Sequence, residues 1–230
     1  MSDSPIADMF DRISPSYDRL NHLLSLNIDK VWRKKAAKEM AKSRPETILD
    51  LATGTADLAI ALAKHNLQAH IVGMDISEKM LEIGKEKVKK QGLDNQIDLH
   101  LGDAASLPFG DNSFDAVTVG FGVRNFEDRK QGLSEIHRVL KPNGNAVILE
   151  FSMPEKFPMK QLYRLYFKQF LPKIGKCISK DPSAYTYLPQ SVEAFPKPID
   201  FMQILDENGL RNGSAKSLSF GIATLYSATK

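Results

Sequence analysis

Between Thr47 and Phe151, short apolar runs alternate with amphipathic stretches, and that alternation restricts the fold more than any other feature. Thr47–Ala52 (TILDLA) is strand-like, and Asp57–Lys64 follows with Leu58, Ala61 and Leu62 at helical spacing. Ile71–Met74 is a second apolar run leading into Asp75. Glu78–Gln91 reads as an amphipathic helix with Met80, Leu81, Ile83 and Val88 inward and Gly92 as its C-cap. Ile97–Leu101, Phe114–Val119 and Ala146–Phe151 are further strands, and a helix over Arg129–Leu140 ends ahead of Pro142. Strands separated by single helices at this pitch need crossover connections. The expectation is therefore an α/β fold, a parallel sheet with helices on both faces.

The flanks are different. Residues 1–46 look helical. Residues 152–211 hold a long basic-aromatic helix, a Pro-rich connection and a helix from Ile199 to Asn208 stopped by Gly209. The tail has two β-like runs, Gly213–Leu218 and Ile222–Thr229, on either side of Ser219-Phe220-Gly221, which suits an antiparallel hairpin. At 230 residues the chain fits one domain. Its expected parts are an N-terminal helical segment (1–46), a cofactor-binding core (47–151), an acceptor-side insertion (152–211) and a terminal hairpin (212–230).

Composition narrows the function by exclusion. Lys plus Arg is 31 against 28 for Asp plus Glu, too balanced for a nucleic-acid partner. The lone cysteine, Cys177, allows no internal disulfide and no Cys-rich metal site, and a cytoplasmic location fits best. The histidines lack metal-ligand spacing, so no metal is expected. The N-terminus carries acids and prolines where a signal peptide needs an apolar run.

Three strand ends carry the chemistry. Asp50-Leu51-Ala52-Thr53-Gly54-Thr55 follows the first strand. With one glycine it is neither a dinucleotide G-x-G-x-x-G nor a phosphate-binding P-loop. Asp50 suits a ligand with a cationic end, while a tight turn with a polar cap is the plainer reading. Asp75 ends the second strand, where a carboxylate can accept two ribose hydroxyls. It could instead cap the next helix, but Ser77 serves that purpose. Gly102-Asp103-Ala104 ends the third strand, where an acid can receive an exocyclic amine such as adenine N6. Together the three ends are far more specific than any one.

This constellation resembles the class I S-adenosylmethionine-dependent methyltransferases. The resemblance implies a Rossmann-like, seven-stranded, mostly parallel sheet with an antiparallel last strand. It implies S-adenosyl-L-methionine as cofactor, held by Asp50, Gly54, Thr55, Asp75, Asp103 and Ala104. Ala52 and Ala56 depart from a first loop that is usually Gly-rich.

More narrowly, Tyr17-Asp18-Arg19-Leu20-Asn21-His22-Leu23-Leu24-Ser25 followed by Trp32 is similar to the amino-terminal signature of the ubiquinone/menaquinone biosynthesis C-methyltransferases. Arg138–Gly144 with Glu150-Phe151-Ser152, Phe121–Asn125 and Tyr187–Ser191 are also similar. Leu20, Asp29 and Asn143 stand where the family has Met, His and Gly. The resemblance implies methyl transfer to a ring carbon of a polyprenylated naphthoquinol, or of a benzoquinol in the ubiquinone branch. Arg124, Asn125 and Tyr17 are then the candidate catalytic residues. For Arg124 the alternative is a salt bridge to Glu127 or Asp128. An NAD-dependent dehydrogenase and a membrane-binding adaptor are the competing classes.

Lys156–Lys180 contains six lysines and Arg164 with no acid, while the rest of the chain is net acidic. Phe157, Tyr163, Tyr166, Phe167 and Phe170 interleave with these cations, the composition of an interfacial helix. Peripheral membrane association at the inner face is the expectation, and a homodimer is compatible with the resemblance.

Overall fold

A computed structural model describes residues 4–66, 68–166 and 183–230. Two helices, α1 (Pro5–Leu24) and α2 (Ile28–Met40), precede strand β1 (Thr47–Leu51). There follow α3 (Asp57–His65), β2 (His70–Asp75), α4 (Glu78–Lys90), β3 (Ile97–Leu101), β4 (Phe114–Gly120), α5 (Arg129–Val139) and β5 (Leu140–Phe151). Then come α6 (Met159–Leu165), α7 (Ser183–Ala194), α8 (Pro198–Glu207), β6 (Arg211–Leu218) and β7 (Ala223–Thr229).

The strands form one seven-stranded sheet in the order β3-β2-β1-β4-β5-β7-β6. Strands β1 to β5 are parallel, and β7 runs antiparallel between β5 and β6. The terminal hairpin produces this arrangement: its second strand inserts beside β5. Side chains alternate between two cores, as pleating requires. Ile48, Val147, Leu149 and Leu225 pack with α2, α3 and α4 on one face. Leu49, Leu51, Ala146, Ile148 and Tyr226 pack with α5 and α8 on the other. Ser77 caps α4 by accepting the Met80 N–H at 3.2 Å, and Asp128 caps α5 by accepting the Gln131 N–H at 2.9 Å.

Strand order reverses between β1 and β4, so the chain departs from these neighbours to opposite sides. A crevice opens there, at the carboxyl ends of the strands.

One expectation changes. Strand β5 starts at Leu140, not Ala146, although Pro142-Asn143-Gly144 reads as a turn. Asn143 takes φ +64°, its N–H donates to Lys230 O at 3.2 Å, and the Lys230 N–H donates to Gly144 O at 3.0 Å. Pairing with the chain end keeps this stretch in the sheet as an irregular strand. Of the expected long basic helix, the described residues hold α6 over Met159–Leu165; Phe167, Lys168, Phe170 and Cys177 lie outside the described residues.

Candidate active site

At the carboxyl ends of β1, β2, β3 and β4 lies a cavity. Its wall includes Ala52, Gly54, Asp75, Gly102, Asp103, Ala104 and Gly120. Gly54 takes φ +56° and has open space where a Cβ would stand, so the first loop shows bare backbone. Ala52 and Ala56 follow the same left-handed path at φ +51° and +65°. The loop thus keeps a glycine-like course with alanines, at a strain of about 1 kcal/mol each. At Gly120 an added Cβ would meet Leu58 Cδ2 at 2.8 Å, so packing on α3 explains the missing side chain.

Asp75 is buried and not idle. Its Oδ2 accepts the Gly54 N–H at 2.7 Å and its Oδ1 accepts the Ser77 N–H at 2.9 Å. It therefore staples the first loop to the start of α4 while lining the cavity. Each oxygen retains a second lone pair for a ligand hydroxyl. Burial raises its pKa, and the Ser77, Gly54 and Ile76 amides oppose that rise. Asp103 accepts the Ala105 N–H at 2.9 Å and lines the same cavity.

Asp50 and Thr55 are not among the residues that line this cavity. Asp50 is fully buried and accepts hydroxyl hydrogen bonds from Thr118 at 2.6 Å and Thr53 at 2.7 Å. Through these bonds it braces the first loop. The Thr55 hydroxyl donates to Asp18 Oδ1 at 2.5 Å, and Lys87 Nζ reaches Asp18 Oδ2 at 2.7 Å, which clamps α1 across the site.

A second cavity adjoins the first. Phe10, Tyr17 and Phe121 line both, so they form the partition between them. Arg124, Tyr187, Asn21, Ser25, Asp29 and Arg33 put polar groups on its wall; Met9, Ile13, Leu20, Leu24, Leu188 and Ile222 are among its apolar lining. Tyr163 and Tyr166 also line it. Trp32 is at once core and lining, and its Nε1–H donates to Ser219 Oγ at 2.9 Å.

Arg124 is held firmly. Its Nη1 donates to Glu150 Oε1 at 2.8 Å and to the Phe121 carbonyl, and its backbone N–H donates to Glu150 Oε2 at 3.2 Å. The partner is thus Glu150 on β5, not Glu127 or Asp128. The guanidinium also lies 5.3 Å from the Phe151 ring centroid. Asn125 lines the first cavity and its Oδ1 accepts the Tyr187 hydroxyl at 2.9 Å, linking the two chambers. Burial raises the Tyr17 pKa, against the lowering by Arg124 and Arg33, so its phenol stays protonated near neutral pH.

The whole chain, residues 1–230, matches the ubiE/COQ5 methyltransferase family. The chain belongs to that family. It is 51% identical over 226 residues to a demethylmenaquinone methyltransferase of Bacteroides fragilis, covering 98% of this chain and 92% of the relative. It is 46% identical over 226 residues to a ubiquinone/menaquinone biosynthesis C-methyltransferase of Geotalea uraniireducens, covering 98% and 96%. A crystal structure of a SAM-dependent methyltransferase from Aquifex aeolicus shares the fold, with a TM-score of 0.60 at 19% identity over 84% of this chain and 88% of that one.

As a ubiE/COQ5 methyltransferase the chain uses S-adenosylmethionine, and the first cavity fits it. Bare backbone at Gly54 suits the close approach of the methionine end, Asp75 the ribose diol, and Asp103 with Ala104 the adenine edge. The second cavity, joined at Tyr17, suits the acceptor. Glu150, Tyr187, Phe121 and Arg33 were given no role in the sequence reading. Glu150, Tyr187 and Phe121 lie inside the signature stretches, which was the available signal. His22, Asp29 and Asp57 also converge within 4.8 Å, but Arg33 and Lys87 already pair with the two acids.

Asp50 supplies a test of this arrangement. Burial pushes its carboxyl up to about 6, against hydrogen bonds from Thr118 and Thr53. The folded value exceeds the unfolded one of 3.8, so its contribution to stability is complete below pH 4 and lost as pH rises through 6. The loss is on the order of 2–3 kcal/mol. Asp50→Asn should therefore flatten the fall of Tm over that window, as scanning calorimetry across pH would show. A variant that loses stability equally at every pH would refute it.

Proposed function

We propose that this chain transfers the methyl group of S-adenosylmethionine to a ring carbon of a polyprenylated demethylnaphthoquinol, converting demethylmenaquinol to menaquinol. The observation that carries this is the meeting of two cavities at Tyr17 and Phe121, with Arg124 on the acceptor side. When bound, the donor supplies a methyl already activated on sulfonium, so alignment of the acceptor is what the protein contributes. Loss of a quinol hydroxyl proton to water places electron density on the neighbouring ring carbon; after methylation the hydrogen on that carbon leaves as a proton and the oxygen is reprotonated, which restores the quinol. Arg124 is too basic to take the hydroxyl proton, and its role is to stabilise the resulting oxyanion. Tyr17 and Asn125 orient the ring, Tyr17 as a neutral phenol. The apolar wall of the second cavity receives the start of the tail. Relatives named for menaquinone formation support the naphthoquinol; the Geotalea name, which includes ubiquinone, keeps a benzoquinol as the second reading. Turnover of short-tailed demethylnaphthoquinol against the matching benzoquinol, with product mass measured, tests the choice. Absence of a methylated naphthoquinol would overturn it.

No helix among the described residues is long and apolar enough to cross a membrane. Our reading is peripheral attachment to an anionic surface, with the Lys156–Lys180 segment contributing. Phe157 is 82% exposed, and Leu162 and Leu165 are exposed on α6. Reversing charge at Lys160, Arg164 and Lys168 together should weaken cosedimentation with anionic liposomes, since each surface cation contributes up to about 1 kcal/mol. Activity on a short-tailed quinol should persist. Equal cosedimentation of variant and wild type would make the segment a structural lid. Self-association into a homodimer is checked by light scattering of the same samples.

A further inference from the structure

Helix α1 ends in a Schellman motif. The Asn27 N–H donates to His22 O at 2.7 Å and the Leu26 N–H to Leu23 O at 3.1 Å. The residue after the helix cap in this motif must be left-handed, and glycine is the usual choice. Here it is Leu26, at φ +52°. Its side chain is 77% exposed, so packing does not offset the backbone strain. A large apolar residue that strains the fold and stays mostly exposed points to use outside the chain.

Its surroundings say what that use is. Leu23, Ile28 and Val31 are also exposed. The outer face of α2 continues from them through exposed Lys30, Lys34, Lys35 and Lys38. Leu24 and Ser25, just before the turn, line the acceptor cavity. The Tyr166 hydroxyl donates to Leu24 O at 3.0 Å, which brings the end of α6 to the same turn. A row of lysines is depleted from protein interface cores. An apolar tip followed by cations matches the layering of an anionic lipid surface.

We propose that the α1–α2 turn is a membrane-docking tip. Leu26 and its apolar neighbours enter the lipid interface, and the lysines of α2 meet the phosphates. This rests on the reading of the acceptor as lipid-borne, and it sets the acceptor cavity against the surface from which a polyprenyl tail arrives. The tip differs in sequence from the Lys156–Lys180 segment, whose Tyr166 reaches it.

Leu26→Gly is the decisive variant, because strain and docking predict opposite signs for it. Its Tm should equal or exceed that of wild type, since glycine relieves the left-handed strain. Its cosedimentation with phosphatidylglycerol/phosphatidylethanolamine vesicles should weaken about tenfold. Turnover of a short-tailed soluble quinol should not change. The triple variant Lys34→Glu, Lys35→Glu, Lys38→Glu should lose binding to these vesicles, and phosphatidylcholine vesicles should bind weakly throughout. Undiminished vesicle binding by Leu26→Gly would overturn the proposal, as would a clear fall in its Tm. So would absence of binding by wild type, or a wild-type dimer that Leu26→Gly dissociates, which would make the turn a protein interface. If wild type fails on the soluble naphthoquinol while vesicle binding still follows the turn, the substrate assignment falls and the docking tip stands.

Discussion

Replacing Arg124 with alanine should lower turnover about 100-fold or more, the size expected when an oxyanion-type donor is lost. Affinity for S-adenosylmethionine should stay near wild type, because Arg124 lines the second cavity and not the first. Stability complicates the measurement. Glu150 is fully buried and loses its ion-pair partner in this variant, which typically costs about 3–5 kcal/mol. The double variant Arg124→Ala, Glu150→Gln removes that unpaired charge and keeps the test interpretable. If the folded double variant turns over at a near-normal rate, Arg124 has no part in the chemistry. A loss that appears only as weaker donor binding would move Arg124 to the cofactor site.

Asp75→Ala should weaken S-adenosylmethionine binding by roughly 10- to 100-fold, from hydrogen bonds to a charged group worth roughly 1.5–3 kcal/mol. The structure adds a second source of loss. Asp75 also accepts the Gly54 N–H at 2.7 Å, so removing it frees the loop that meets the methionine end. Asp75→Asn separates the contributions, because its amide oxygen can still accept the Gly54 N–H while the charge is gone. Titration calorimetry reads both variants. An unchanged dissociation constant for Asp75→Ala would remove the ribose assignment altogether.

These two residues also show how far the sequence reaches. Asp75 was legible because its placement is local: an apolar run that reads as a strand ends in an acid, and strand ends in a parallel sheet face the ligand. Asp103 and Gly54 follow the same logic, and so does the tail hairpin. Arg124 was legible only as a motif member, and its partner was not. Glu127 and Asp128 are adjacent in sequence, but Glu150 lies 26 positions away and meets Arg124 at the ends of the neighbouring strands β4 and β5.

Asp50 shows the same limit from the other side. Its position at a strand end looks identical to that of Asp75, and one is bracing while the other lines a cavity. The difference is Thr118, 68 positions away, whose hydroxyl takes Asp50 into the sheet. Tyr163 belongs with it: on an isolated helix it reads as one more interfacial aromatic, yet it packs with Leu20 and Val192. Periodicity of two or 3.6 residues specifies each element, the face it buries and where it ends, since those depend on neighbours within a few residues. Which acid is buried, which arginine is paired and which aromatic turns inward depend on contacts between elements far apart in the chain. Those contacts exist only once the strands have taken their order in the sheet.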